Sequence, residues 1–254
     1  SLTPQFAVAR SLKLDPGRLT SIRQQGFTGV QVVPDGRIAS GLSALVSTAG
    51  LPPRESVIAQ ATLATLALRP VPGNGYPRTL MGAHAHLRQA LLDTARHVQH
   101  RRLYEAETPG IPRPPSDDVL DALAPILGGQ QRTGFRVRTR DDIHRALAFA
   151  AEHKIAPLLL GADAISECLE AIAALKPPVL LSLTWGSRPK VSAKTSASGK
   201  PLSPTIPEPL RVQQDKLDRW SRRVGSAASL EKLGIPVAVG SRGLKDRGEV
   251  LKAV

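Results

Sequence analysis

Four histidines fall within LMGAHAHLRQALLDTARHVQH, residues 80–100: His84, His86, His97 and His100. On a β-strand, where alternate side chains share a face, the His-x-His pair His84 and His86 could hold one zinc ion. On a helix, residues two apart diverge by about 200° and cannot share an ion. Leu87, Leu91, Ala95 and Val98 recur at i, i+4, i+8 and i+11, so residues 80–107 read as a helix with one apolar stripe. His84 and His86 are therefore only weak metal candidates, and read better as helix-surface or helix-start residues. His97 and His100 stand beside Arg96, Arg101 and Arg102 and read as a solvated basic face. His144 and His153 have acidic neighbours and read as surface residues.

Other chemistry-bearing patterns are thinner. No Gly-x-x-x-x-Gly-Lys-Ser/Thr phosphate loop occurs. The Gly-containing stretches ASGLSA (39–44) and GNGYPR (73–78) lack dinucleotide-binding spacing and read as loops. Ser40 and Ser43 are not set in Gly-x-Ser-x-Gly, and no histidine is placed to serve them. The Asp117–Asp118 and Asp141–Asp142 pairs sit at helix starts, where the positive end of the macrodipole favours anions. No catalytic residue is assigned on these patterns.

The elements that position these residues come next. With 254 residues, the chain is long enough for one α/β barrel or two ordinary domains. Hydrophobic residues are 41% and charged residues 22%, as in an ordinary globular protein. The single Cys168 excludes a disulfide framework within the chain and any Cys-rich zinc site. No apolar run approaches the roughly 20 residues that cross a bilayer, and SLTPQFAVAR shows no signal-peptide pattern; the compartment stays open. A net charge of +13 and a pI near 10.7 favour a polyanionic partner. The 3% aromatic content and the dispersed basic residues argue against nucleic acid.

Asp15 to Gly26 reads as a helix, FTGVQVV as a buried strand and PDGR as its turn. Residues 55–68 fit strand or helix equally. After the Pro-rich TPGIPRPPSDD comes a helix (119–127), then a regular alternation. Strands are expected at 134–139, 155–161, 177–184 and 235–241, with helices at 140–154, 163–176 and 211–233. Spacing of this kind predicts parallel β/α units and a covered sheet. Residues 185–210, rich in Ser, Pro and Lys, read as a flexible insert.

Four segments, in this order, resemble the metal-dependent amidohydrolases, specifically the imidazolonepropionase-like group. They are RQQGFTGVQVVPDGRIASGLSALVSTAG (23–50), YPRTLMGAHAHLRQALLDT (76–94), FRVRTRDDIHRALAFAAEHKIAPLLLGADAI (135–165) and LEKLGIPVAVGSRG (230–243). The resemblance implies an α/β fold, a parallel (β/α) TIM-type barrel, here a single incomplete segment over 1–254. It would lack the first metal-bearing strand and the accompanying β-sandwich. It also implies chemistry at the C-terminal ends of the strands, with zinc activating water against a C–N bond where the activity is retained.

At the positions where the resemblance calls for ligands, Arg138 stands for His, Leu160 for His and Arg242 for Asp. Permanently charged guanidinium groups repel a divalent cation, so no cofactor is expected for this chain. Arg136 and Arg138 share a side of their strand by its period of two. They are candidates for binding an anion, or, more simply, for pairing with Asp141, Asp142 or Asp163. The first reading is a non-catalytic, amidohydrolase-type barrel domain with a structural or anion-binding role. The alternatives are a metal-dependent hydrolase of C–N bonds within a larger chain, and a basic nucleic-acid-binding module. Uncovered apolar strand surface would call for the remainder of a larger polypeptide, or another copy, as partner.

Overall fold

A computed structural model describes residues 2–71, 73, 75–183, 185–191 and 209–241. In chain order the elements are α1 (Pro16–Gln24), β1 (Gly29–Val32), β2 (Ala39–Leu42), β3 (Ala44–Ser47), α2 (Pro53–Ser56), β4 (Val57–Ala59) and β5 (Ala64–Leu66). Then follow α3 (Leu80–Glu105), α4 (Asp118–Leu127), β6 (Thr133–Val137), α5 (Arg140–Glu152), β7 (Pro157–Gly161), α6 (Leu169–Leu175), β8 (Val179–Ser182), α7 (Leu210–Val224), α8 (Ser226–Lys232) and β9 (Val237–Gly240).

Two sheets result. The larger has the order β2-β5-β6-β7-β8-β9 and is parallel from β5 to β9, whereas β2 runs antiparallel to β5. Helices occupy each crossover, as parallel strands require. The sheet is open among the described residues. The smaller sheet, β1-β3-β4, is antiparallel.

The alternation after residue 133 appears where the sequence placed it, with shorter strands. The expected helix 163–176 is a 3-10 turn (Ile165–Glu167) followed by α6, and 211–233 is two helices that meet at Gly225. The N-terminal third departs further. FTGVQVV does hold a strand, but β1 is half-buried rather than buried and belongs to the small sheet. Residues 55–68 hold part of α2 and then two short strands, one in each sheet. Most of the 185–210 insert, 192–208, lies outside the described residues.

Local chemistry explains several boundaries. Asp15 caps α1 through Gly17 N at 3.0 Å, with Pro16 at the first helical position. Thr139 and Asp142 form a reciprocal capping box on α5. The core lies between the main sheet and its helices. Phe135, Val137, Leu159, Val179 and Leu181 meet Ile143, Leu147, Ile165, Ile172 and Leu230, all buried.

Candidate functional site

In a parallel sheet the C-terminal strand ends converge on one rim, so chemistry that needs several elements gathers there. A cavity of about 310 Å³ lies at this rim, between the ends of β5 to β8, and Arg136, Arg138, Asp142, Gly161, Asp163 and Ser182 are among its lining.

Arg136 lines the cavity from a buried position. Its side chain is only 7% exposed, Nη2 donates to Pro34 O at 2.7 Å, and Nε faces Asp35 Oδ1 at 3.3 Å. Arg69 Nη2 reaches the same Asp35 oxygen at 2.9 Å. Arg136 therefore pins the turn after β1 to the main sheet. A carboxylate it meets is that of Asp35, which the sequence reading does not name. Asp35 sits in a Pro-Asp-Gly turn, where it reads as a turn former, so nothing in the sequence marked it.

Arg138, just past β6, is exposed. Its backbone N–H donates to Asp142 Oδ2 at 3.2 Å, and its guanidinium makes no hydrogen bond or ion pair among the described residues. Burial works to raise the Asp142 pKa, but hydrogen bonds from Thr139, Arg145 and Arg138 outweigh it and hold the carboxyl below its ordinary value. Asp142 is thus committed to the helix cap and to Arg145, 2.8 Å away.

Leu160 lies on the sheet face opposite the helices, 5% exposed and in register with Arg136. With Leu158, Leu180 and Ala238 it floors an apolar groove of about 490 Å³, walled on the far side by Phe27, Val30 and Val33. Arg242, the third position, lies outside the described residues.

Asp163 and Ser182, at the ends of neighbouring strands, are joined by a hydrogen bond in which the hydroxyl donates. The turn that delivers Asp163 depends on Gly161, whose φ is +101° and whose position would set a Cβ 2.7 Å from Val137 O. Sequence patterns missed this pair, since its members are 19 residues apart and belong to no short motif.

The histidines are placed on α3 as the periodicity predicts, but their environments differ from the expected surface. His84 packs edge-on to Phe149, and His86 edge-on to Tyr76, so the two rings diverge. Burial lowers the pKa of both. His97 is not part of a solvated face: it is 7% exposed, with Nε2 3.1 Å from Asp121 Oδ1, tying α3 to α4. Arg101 binds the same carboxylate. His153 is packed against Phe149, with ring centres 4.4 Å apart, and burial lowers its pKa against the opposing pull of Glu152. Among the described residues no three His, Cys, Asp or Glu side chains are grouped to hold a metal ion.

ASGLSA is not a loop: Ser40 lies in β2 and Ser43 between β2 and β3, and their buried hydroxyls bond to Arg37 O and Thr62 Oγ1. Burial raises the Cys168 pKa, which keeps the thiol protonated rather than reactive.

The fold is similar to that of an amidohydrolase. The crystal structure of an amidohydrolase from Thermotoga maritima MSB8 superposes with a TM-score of 0.76 at 16% sequence identity. The match covers 99% of this chain and 61% of the other, so the chain spans about six tenths of that neighbour's length. No protein-family model and no curated protein matches the chain. No helix among the described residues is long and apolar enough to cross a membrane.

Proposed function

We propose that this chain is a non-catalytic, amidohydrolase-type (β/α) barrel segment of the imidazolonepropionase-like group, with a structural and anion-binding role at its C-terminal strand ends. The observation that carries this reading is the pair Arg138 and Leu160, which stand where the family resemblance calls for two histidine ligands. Leu160 has no donor atom and is 5% exposed in an apolar groove. Arg138 brings a fixed positive charge. Also at this rim, Asp163 and Ser182 bond to each other, and Asp142 is held by Thr139 and Arg145. This donor set does not fit zinc, which takes three or four N, O or S ligands of neutral or negative charge.

A metal-dependent hydrolase of C–N bonds within a larger chain is the competing reading, and zinc content separates the two. Elemental analysis of purified protein, followed by titration with zinc, is expected to give no stoichiometric metal. About one tightly held zinc per chain would overturn the proposal, with His84 and His86 the first positions to mutate.

The partner we infer is the remainder of a larger polypeptide, or a second copy, laid against the apolar groove floored by Leu158, Leu160 and Leu180. Val239 on the terminal strand β9 is 41% exposed, and among the described residues β9 has β8 as its one strand neighbour. Apolar surface at an unpaired strand edge is the kind that association covers.

A further inference from the structure

The chain contains two tryptophans, Trp185 and Trp220. They are 35 positions apart, yet both line one cavity of about 730 Å³ on the outer rim of the main sheet. One wall is the turn between β6 and α5, which brings Arg138 and Arg140. The facing wall is α7, where Lys216, Trp220 and Arg223 fall at i, i+4 and i+7 and so share a face. Trp220 Nε1 donates to Gly186 O at 3.3 Å, which fastens the helix to the segment that carries Trp185.

Three features limit what this cavity suits. First, neither indole is in contact with another aromatic ring among the described residues, so their π-faces are not used up in ring stacking within the fold. Second, the Arg138 and Arg140 side chains make no hydrogen bond or ion pair among the described residues, unlike Arg219, which Asp215 holds. A guanidinium matches a phosphate in a bidentate, charge-assisted way. Third, the carboxylates of Asp141, Asp163 and Glu167 also border the cavity. They repel a bare anion, but they accept from hydroxyl or amino groups on a larger one. An aromatic ring, a phosphate and hydrogen-bond donors are combined in a nucleoside phosphate, and the volume is within the range of small-molecule sites.

We propose that this cavity binds a nucleoside phosphate, with the base against the tryptophans and the phosphate on Arg138 and Arg140. Arg138 and Asp163 border both this cavity and the one at the strand ends, whereas Arg140, the tryptophans and the α7 residues border this one alone of the two. A zinc-bearing protein would retain it, so its failure and that of the preceding proposal are separable.

Both tryptophans belong to the site, so intrinsic fluorescence reports on it directly. The full chain is titrated with AMP, GMP, CMP and UMP, and in parallel with inorganic phosphate and adenosine, and each titration is repeated by calorimetry. At least one nucleotide is expected to bind saturably, and more tightly than either phosphate or adenosine. The double variant Arg138→Ala/Arg140→Ala should weaken that binding by about tenfold or more, as loss of charged hydrogen bonds implies. Its circular dichroism and melting curve should be unchanged, because both side chains are exposed. Trp220→Phe keeps a stacking ring and should retain binding within a few-fold. Three results would overturn the proposal: no saturable signal or heat with any nucleotide, equal binding of phosphate alone, or unaltered affinity in the double arginine variant. Binding of 5′-phosphorylated oligonucleotides that tightens steadily with length would also overturn it, in favour of a strand-binding groove.

Discussion

Leu160 on β7 packs directly over Gly134 on β6: a Cβ built on the glycine would lie 2.7 Å from Leu160 Cδ1 and 2.8 Å from Leu63 Cδ2. The groove face of the sheet is thus filled by leucine from β7 and from the residue just before β5, and the glycine makes room for both. Gly134→Ala should destabilise the fold by about 1–3 kcal/mol through overpacking, and pairing it with Leu160→Ala should recover part of that loss. Gly161→Ala should cost more, because it meets the backbone oxygen of Val137 at 2.7 Å and occupies a φ of +101°. Urea unfolding of the three variants checks the order; equal costs for the two glycines would contradict it.

The two rim arginines should separate in a stability measurement. Arg136→Ala removes the tie to Pro34 O and Asp35 and should cost about 2 kcal/mol, as for a hydrogen-bonded charged group. Arg138→Ala should fall within about 0.5 kcal/mol of the parent, as for an exposed side chain. Thermal melts of both variants are sufficient to test this.

His97 and Asp121 join α3 to α4 at 3.1 Å, with the His97 side chain 6% exposed. Asp121→Ala removes the carboxylate that His97 Nε2 and Arg101 share, leaving Arg101 Nη2 3.0 Å from that nitrogen, and should cost about 1–3 kcal/mol. A double-mutant cycle with His97→Ala should give a coupling of at least about 0.5 kcal/mol. Additive losses would mean that the contact contributes nothing of its own.

Acid should weaken the fold through His84 and His153. Burial is the largest cause of the lowered pKa of each, with Arg145 acting next on His84 and Glu152 opposing it at His153. Between the lowered folded value and the ordinary value of 6.5, the unfolded chain binds more protons than the folded one. Stability is therefore highest above pH 6.5 and falls as the pH drops through that value towards the folded pKa. Denaturant midpoints measured from pH 7.5 down to 5 should show this decline, and His84→Gln should flatten it. A midpoint that rose on acidification would reverse the sign argued here.

The residues themselves determined the alternation from β6 to β9, because Asp and Thr caps, apolar helix faces and short β-rich runs are local signals. They also determined that His84 and His86 diverge, since the stripe of Leu87 and Leu91 sets a helical period. Resemblance of particular words in the sequence pointed to an amidohydrolase-type fold, which the structural neighbour supports at the level of the fold. Tertiary structure alone decided that β1 joins the small sheet, since four residues, Gly-Val-Gln-Val, carry no record of which edge they will pair with. Structure alone also chose Asp35 as a partner of Arg136, 101 positions away, and buried His97 against Asp121 within an otherwise basic stretch. The convergence of Trp185 and Trp220 belongs to the same class. Contacts of this kind depend on where loops return after folding, and sequence separation holds no information about that distance.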